Sequence, residues 1–153
     1  MYKKINNIIN LTFAGLGTDG NLKVGNYVFY FRLSDSDNNE TDFIAESGIV
    51  TCHIGNLNDP ASIQGGIKNE NSYKSVNFVM SDIDSSYNNV NVYYTRSTSD
   101  IEQGEITESY KIIKSYPIYN GIAKIVINGF ENTESVSIND INVQYNIVDS
   151  ALT

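Results

Sequence analysis

The fold is decided by nine residues, Asn26-Tyr-Val-Phe-Tyr-Phe-Arg-Leu-Ser34. Tyr27, Phe29, Phe31 and Leu33 fall on one side of an extended chain, and Val28, Tyr30 and Arg32 on the other. A period of two with an aromatic row on one face is the pattern of a strand laid against a core. Working outward, Ser75 to Ser81 repeats it, with Val76, Phe78 and Met80 inward. Asn89 to Arg96 repeats it again, with Val90, Val92 and Tyr94 inward. Asn7 to Phe13, Asp42 to Ser47 with Gly48 to Ile54, Thr107 to Ile118 and Ile122 to Asn128 read as further strands.

The connections carry turn chemistry. Asn38-Asn39 tolerates positive φ and suits a tight hairpin, and Asn120-Gly121 is the strongest hairpin signal in the chain. Thr18 to Gly25 is dense in turn residues, and Ser97 to Gly104 reads as a polar turn. Asn56 to Asn71, with Pro60 and Gly65-Gly66, reads as a long loop. Short strands at this count and spacing predict an antiparallel immunoglobulin- or fibronectin-III-like β-sandwich of about seven strands. The last segment differs. Ser137-Ile-Asn-Asp140 has a capping residue followed three positions later by an acid, and Ile138, Ile141, Tyr145 and Val148 recur at helical spacing. One short C-terminal helix is expected over Asn139–Ile147.

Composition agrees. The 153 residues hold 20 Ile, 11 Tyr, 21 Asn and 16 Ser, a mixture of strand formers and turn formers poor in Ala, Leu and Glu. That length supports one domain, residues 1–153, and no two-domain split. The formal charge of -8 argues against a nucleic-acid binder, which needs cations to neutralise phosphate. No apolar run is long enough for a membrane helix. Met1 to Asn10 imitates the charged head of a signal peptide, but Asn6, Asn7 and Asn10 break what should be its apolar middle.

Residues that could carry chemistry are few. Asp35, Asp37, Asn39 and Glu46 have the ligand spacing of a calcium loop. Glu40 stands where such a loop needs Gly for its sharp turn, so an acidic hairpin turn is the preferred reading and no metal is expected. Asp82, Asp84, Asp100 and Glu102 offer paired carboxylates without a recognisable cleft, and read as solvated loop residues. The single Cys52 and the single His53 are neighbours, so on a strand they point to opposite faces and cannot act as a nucleophile–base pair. Gly15-x-Gly17-x-x-Gly20 matches a nucleotide-binding fingerprint in form, but lacks the strand–turn–helix setting that motif requires. No cofactor and no catalysis are expected. Among the tyrosines, Tyr30 and Tyr93 have the outward phase and are the candidates for an interaction face.

Gly20 to Ser47, Lys74 to Tyr87, Val90 to Arg96 and Ile138 to Val148 resemble segments of the tail stabilisation or muzzle-type virion proteins of crAss-like short-tailed phages. The resemblance covers about Gly20 to Thr153. Members of that family are much longer, so it implies one immunoglobulin-like domain of a larger protein. In the acidic turn the family pattern carries Gly where this chain has Asn39, and both accept positive φ. The resemblance implies a structural module in the virion tail. Its partners would be other virion tail proteins, in a symmetric homo-oligomer within the assembly, with no catalytic residue carried over. The competing expectation is a surface binding module, a carbohydrate-binding or adhesin sandwich, although the lack of Trp weakens the sugar reading.

Overall fold

The structure is a computed structural model and describes residues 9–53, 70–100 and 104–141. It is an all-β sandwich of two antiparallel sheets. The strands are β1 (Asn10–Lys23), β2 (Gly25–Ser34), β3 (Ala45–Cys52), β4 (Asn71–Ser81), β5 (Asn89–Asp100), β6 (Gly104–Pro117), β7 (Ala123–Ile127) and β8 (Thr133–Ser135). A helix, α1, opens at residue 138 and is described to residue 141. One sheet has the order β1-β4-β7 and the other β3-β2-β5-β6-β8. In immunoglobulin terms β3-β2-β5-β6 takes the C′-C-F-G places and β1-β4 the B-E places. The departure is β7, which lies beside β4 where strand D would be, yet follows β6 in the chain.

The alternating rows meet between the sheets. Tyr27, Phe29, Phe31 and Leu33 of β2 face Val76, Phe78 and Met80 of β4, and all are buried together with Val90 and Val92 of β5. Phe78 is the centre of this layer, with Phe29 and Phe31 edge-on to it at ring distances of 5.5 and 5.4 Å. Such tilted contacts set positive ring edges against negative faces. Tyr94 shares the inward phase but is only half-buried, packing against Tyr27 and Phe29 at the margin of the core. Ala123, Ile125 and Ile127 of β7 close the opposite side of the layer.

Several local expectations change. The turn residues 18–21 do not end a strand; β1 runs on to Lys23. Gly17 pairs with Ser75 and Leu22 with the adjacent Lys74, so the four residues between them bulge out without a register partner in β4. The expected turn Ser97 to Gly104 is instead paired strand at Ser97 to Asp100 and at Gly104, which continue β5 and β6; residues 101–103 lie outside the described residues. Asn120-Gly121 makes its tight turn, with φ of 53° and 76° and Tyr119 and Ile122 exchanging backbone hydrogen bonds. The two arms then part, β6 to one sheet and β7 to the other. The short β8 follows Gly129 and was hidden by its length. Asn38 adopts φ 62° in the β2–β3 connection, as its side chain permits. The helix starts as expected, with the Ser137 hydroxyl accepting from the Asn139 amide at 3.2 Å. The remainder of Asn139–Ile147 and most of the Asn56–Asn71 loop lie outside the described residues.

Candidate functional site

The outer face of the five-stranded sheet holds the two tyrosines singled out from the sequence. Tyr30 on β2 and Tyr93 on β5 are register partners and share this face, as their phase requires. They are not an exposed pair. Tyr93 is only 8% exposed and Tyr30 is half-buried, because Phe43, from the β2–β3 connection, and Ile141 of α1 fold over them. Phe43 stands edge-on to Tyr93 at 5.1 Å and to Tyr30 at 5.9 Å. A strand's phase gives its face, but cannot show that a connection elsewhere in the chain returns to cover that face.

The cover creates a shallow hollow of about 210 Å³ lined by Arg32, Phe43, Tyr93, Lys111, Glu134 and Asp140, among others. The Arg32 guanidinium lies 4.3 Å from the Phe43 ring centre and 5.3 Å from that of Tyr93, and Lys111 reaches 5.6 Å from Tyr93. These are cation–π distances. Glu40 approaches Arg32 at only 3.9 Å, a loose ion pair. Cations and carboxylates are balanced around the hollow, so it offers no net field to an ion. Its contacts are those of a second small core.

Two of the possible calcium ligands, Asp35 and Asn39, are engaged with each other. One carboxylate oxygen of Asp35 accepts from the backbone amides of Asp37 (2.9 Å) and Asn39 (3.0 Å), and the other accepts from the Asn39 side chain. This is the self-satisfied turn that Asp makes at a hairpin. Glu46 is an exposed residue of β3, opposite Tyr30. Among the described residues no three of His, Cys, Asp and Glu come together as a metal site. Two of the paired carboxylates also accept hydrogen bonds. Asp82 accepts from Asn10, and Asp84 accepts from the amide and hydroxyl of Ser86. The Asp100 side chain and Glu102 lie outside the described residues.

Cys52 is buried at the end of β3, and burial pushes its thiol up to about 11. The thiolate needed for nucleophilic chemistry is therefore suppressed at neutral pH. The neighbouring His53 has a buried Nδ1 without a hydrogen-bond partner.

Of the Gly15-Gly17-Gly20 set, Gly17 and Gly20 serve packing, whereas Gly15 stands in open space at φ 100°. A Cβ on Gly20 would meet the Lys74 carbonyl oxygen at 2.0 Å, and one on Gly17 would meet the Ser75 hydroxyl. These glycines let the bulge of β1 lie flat on β4.

Sequence reasoning missed Arg96. It is 5% exposed, its Nε donates to the Val24 carbonyl at 2.9 Å, and its Nη1 pairs with Glu108 at 3.2 Å. Glu108 also accepts from the Tyr110 hydroxyl at 3.0 Å. The network ties β5 and β6 to the entry of β2. The only available signal was a lone Arg on the inward side of an alternating strand, which does not reveal its partners.

The surface also carries large apolar side chains. Ile49, Tyr73, Tyr119 and Phe130 are more than 60% exposed, and Phe13, Leu16, Ile113 and Val126 are substantially so. No protein-family model and no curated protein matches the chain.

Proposed function

We propose that this domain is a structural module that works by protein–protein contact, of the kind found in the tail of a short-tailed phage virion. The observation that supports it best is the contrast between its polar and apolar groups. Asp35, Asp82 and Asp84 already accept hydrogen bonds from neighbouring groups and the thiol is buried, whereas large apolar side chains stand in solvent around the sandwich. A contiguous apolar patch on a folded domain marks contact with another macromolecule, and side chains of this size in solvent are what such a patch is built from. The resemblance of Gly20–Ser47 and the later segments to muzzle-type tail proteins supplies the setting. The fold contributes no such choice, since sandwiches host many functions.

The test is the protein content of purified particles from a phage that encodes the chain. The chain is expected in them at a fixed copy number relative to the portal, and it resists washing with high salt. If it is instead released to the medium and retained on a glycan array, the domain is a surface binding module.

A further inference from the structure

Asn-Gly occurs twice in the chain, at Asn120-Gly121 and at Asn128-Gly129. The pair has a chemistry of its own. The amide nitrogen of the second residue attacks the side-chain carbonyl carbon of the first, and Gly, with no Cβ, leaves that nitrogen open to the approach. Each pair stands between large apolar residues, in Tyr119-Asn-Gly-Ile122 and Ile127-Asn-Gly-Phe130, so sequence alone hardly separates them. The structure does. The Gly129 amide donates to one Glu131 carboxylate oxygen at 3.0 Å, and the Asn128 amide donates to the other at 3.0 Å. The Asn128 side-chain oxygen accepts from the Phe130 amide at 2.9 Å. Gly129 is also pressed against backbone, where a Cβ would meet the Asn21 carbonyl carbon at 2.5 Å. Both reacting groups at this pair are held, and a carboxylate at the Gly129 nitrogen opposes the loss of its proton.

At the other pair the same groups are unengaged. Asn120 is exposed, and neither its carboxamide nor the Gly121 amide hydrogen-bonds to a described residue. The turn is tied by the backbone bonds between Tyr119 and Ile122, and by the Ile83 amide donating to the Gly121 carbonyl at 3.1 Å. None of these bonds uses a reacting group. Asn120 has to leave its φ of 53° for the atoms to meet, and it does so at an exposed two-residue tip.

We infer that Asn120 is a site of spontaneous intramolecular modification, and that the fold protects Asn128. The Gly121 nitrogen loses its proton to hydroxide and bonds to Cγ of Asn120. The Cγ–Nδ2 bond breaks, and the nitrogen takes a proton from water and leaves as ammonia. The resulting five-membered imide then takes up one water. Opening at Cγ gives Asp on an ordinary backbone. Opening at the main-chain carbonyl gives isoaspartate, whose main chain runs through Cβ and is one atom longer. Either product adds a carboxylate beside the connection that carries Asp82 and Asp84, to which the tip is bonded through Ile83. Isoaspartate also lengthens a two-residue turn, and the length of such a turn fixes how its arms pair. Tyr119 and Ile122, 72% and 45% exposed, flank that turn, so the reaction changes the charge and shape of an apolar tip as the molecule ages. The inference is separate from the tail setting and can fail while that proposal stands.

Incubation of the 153-residue chain in mildly alkaline buffer, with peptide mapping by mass spectrometry, tests it. Trypsin cleaves after Lys114 and Lys124 and puts the two pairs on separate peptides, with Asn120 the sole Asn of its own. That peptide is expected to gain the mass of one deamidation and to split into two chromatographic isomers. Asn128 is expected to react about tenfold or more slowly, because a hydrogen bond to a charged group has to break first. In denaturant the two are expected to react at similar rates. Asn120→Gly keeps a residue that accepts the turn's positive φ, and is expected to remove the early release of ammonia. An Asn120 that stays intact in the folded chain while reacting in denaturant overturns the inference. So does an Asn128 that keeps pace with it in the folded chain, a rate ratio that denaturant leaves unchanged, or early ammonia that persists in the variant.

Discussion

Phe29 and Phe31 are fully buried and both contact Phe78, so truncating either removes a ring from the centre of the layer between the two sheets. Phe29→Ala or Phe31→Ala is expected to cost about 3–5 kcal/mol in chemical denaturation. Asn38→Ala is expected to cost only about 1 kcal/mol, the preference of its positive φ. Equal denaturation midpoints for the three variants would refute this ordering. Alkaline pH probes other buried side chains. Burial raises the Cys52 thiol to about 11 and the Tyr94 phenol to about 12, and holds Tyr27 and Tyr116 higher still. A group whose folded pKa lies above its unfolded value favours the folded state fully below the unfolded pKa, and loses that effect as pH rises toward the folded one. The melting temperature should therefore hold flat through neutral pH and fall from about pH 9 to pH 12, the span set by these groups. A flat profile across that range would contradict the burial. For calcium, the Asp35 carboxylate already accepts two backbone amides, so calorimetry is expected to show nothing tighter than about millimolar. A micromolar isotherm abolished by Asp37→Asn would reverse that assignment. At this scale the inward row of β2 was legible, because period-two phase is local. The burial of Tyr93 was not, because it depends on Phe43 and Ile141, which lie far from it in the chain.

The elements differ in how much of themselves they announce. β2, β4 and β5 are recognisable from alternation alone, and Asn120-Gly121 from its chemistry. β1 is misleading, because Thr18-Asp-Gly-Asn has the composition of a turn and the role of a bulge. Only the packing of the backbone of residue 20 on Lys74 distinguishes the two. Glycine substitutions separate these cases. Gly20→Ala is expected to cost about 3 kcal/mol, since its Cβ would meet rigid backbone at 2.0 Å. Gly48→Ala, with φ 75° but open space around it, is expected to cost about 1 kcal/mol, from backbone strain alone. Thermal melts of the two variants read the difference; a Gly20→Ala protein as stable as Gly48→Ala would mean that the bulge does not lie on β4. β7 exposes another limit of local reading. A hairpin signal fixes the turn but leaves open which sheet the second arm joins, and here the arm joins β4 across the sandwich.

The molecule as a whole is a two-sheet frame with a second small core on the outside of its larger sheet and apolar side chains in solvent. Class and approximate strand number followed from period and composition, which are averages over the chain. Function did not, because contact surfaces consist of ordinary apolar residues whose exposure is set only by the final packing. Cryo-electron microscopy of an intact particle from a phage that encodes the chain tests the central claim most directly. The account predicts density for this sandwich within the tail, with exposed apolar residues such as Ile49, Tyr73 and Phe130 at contacts with neighbouring subunits. A tail fully accounted for by other chains, or a sandwich found there with these residues facing solvent on every side, would contradict it.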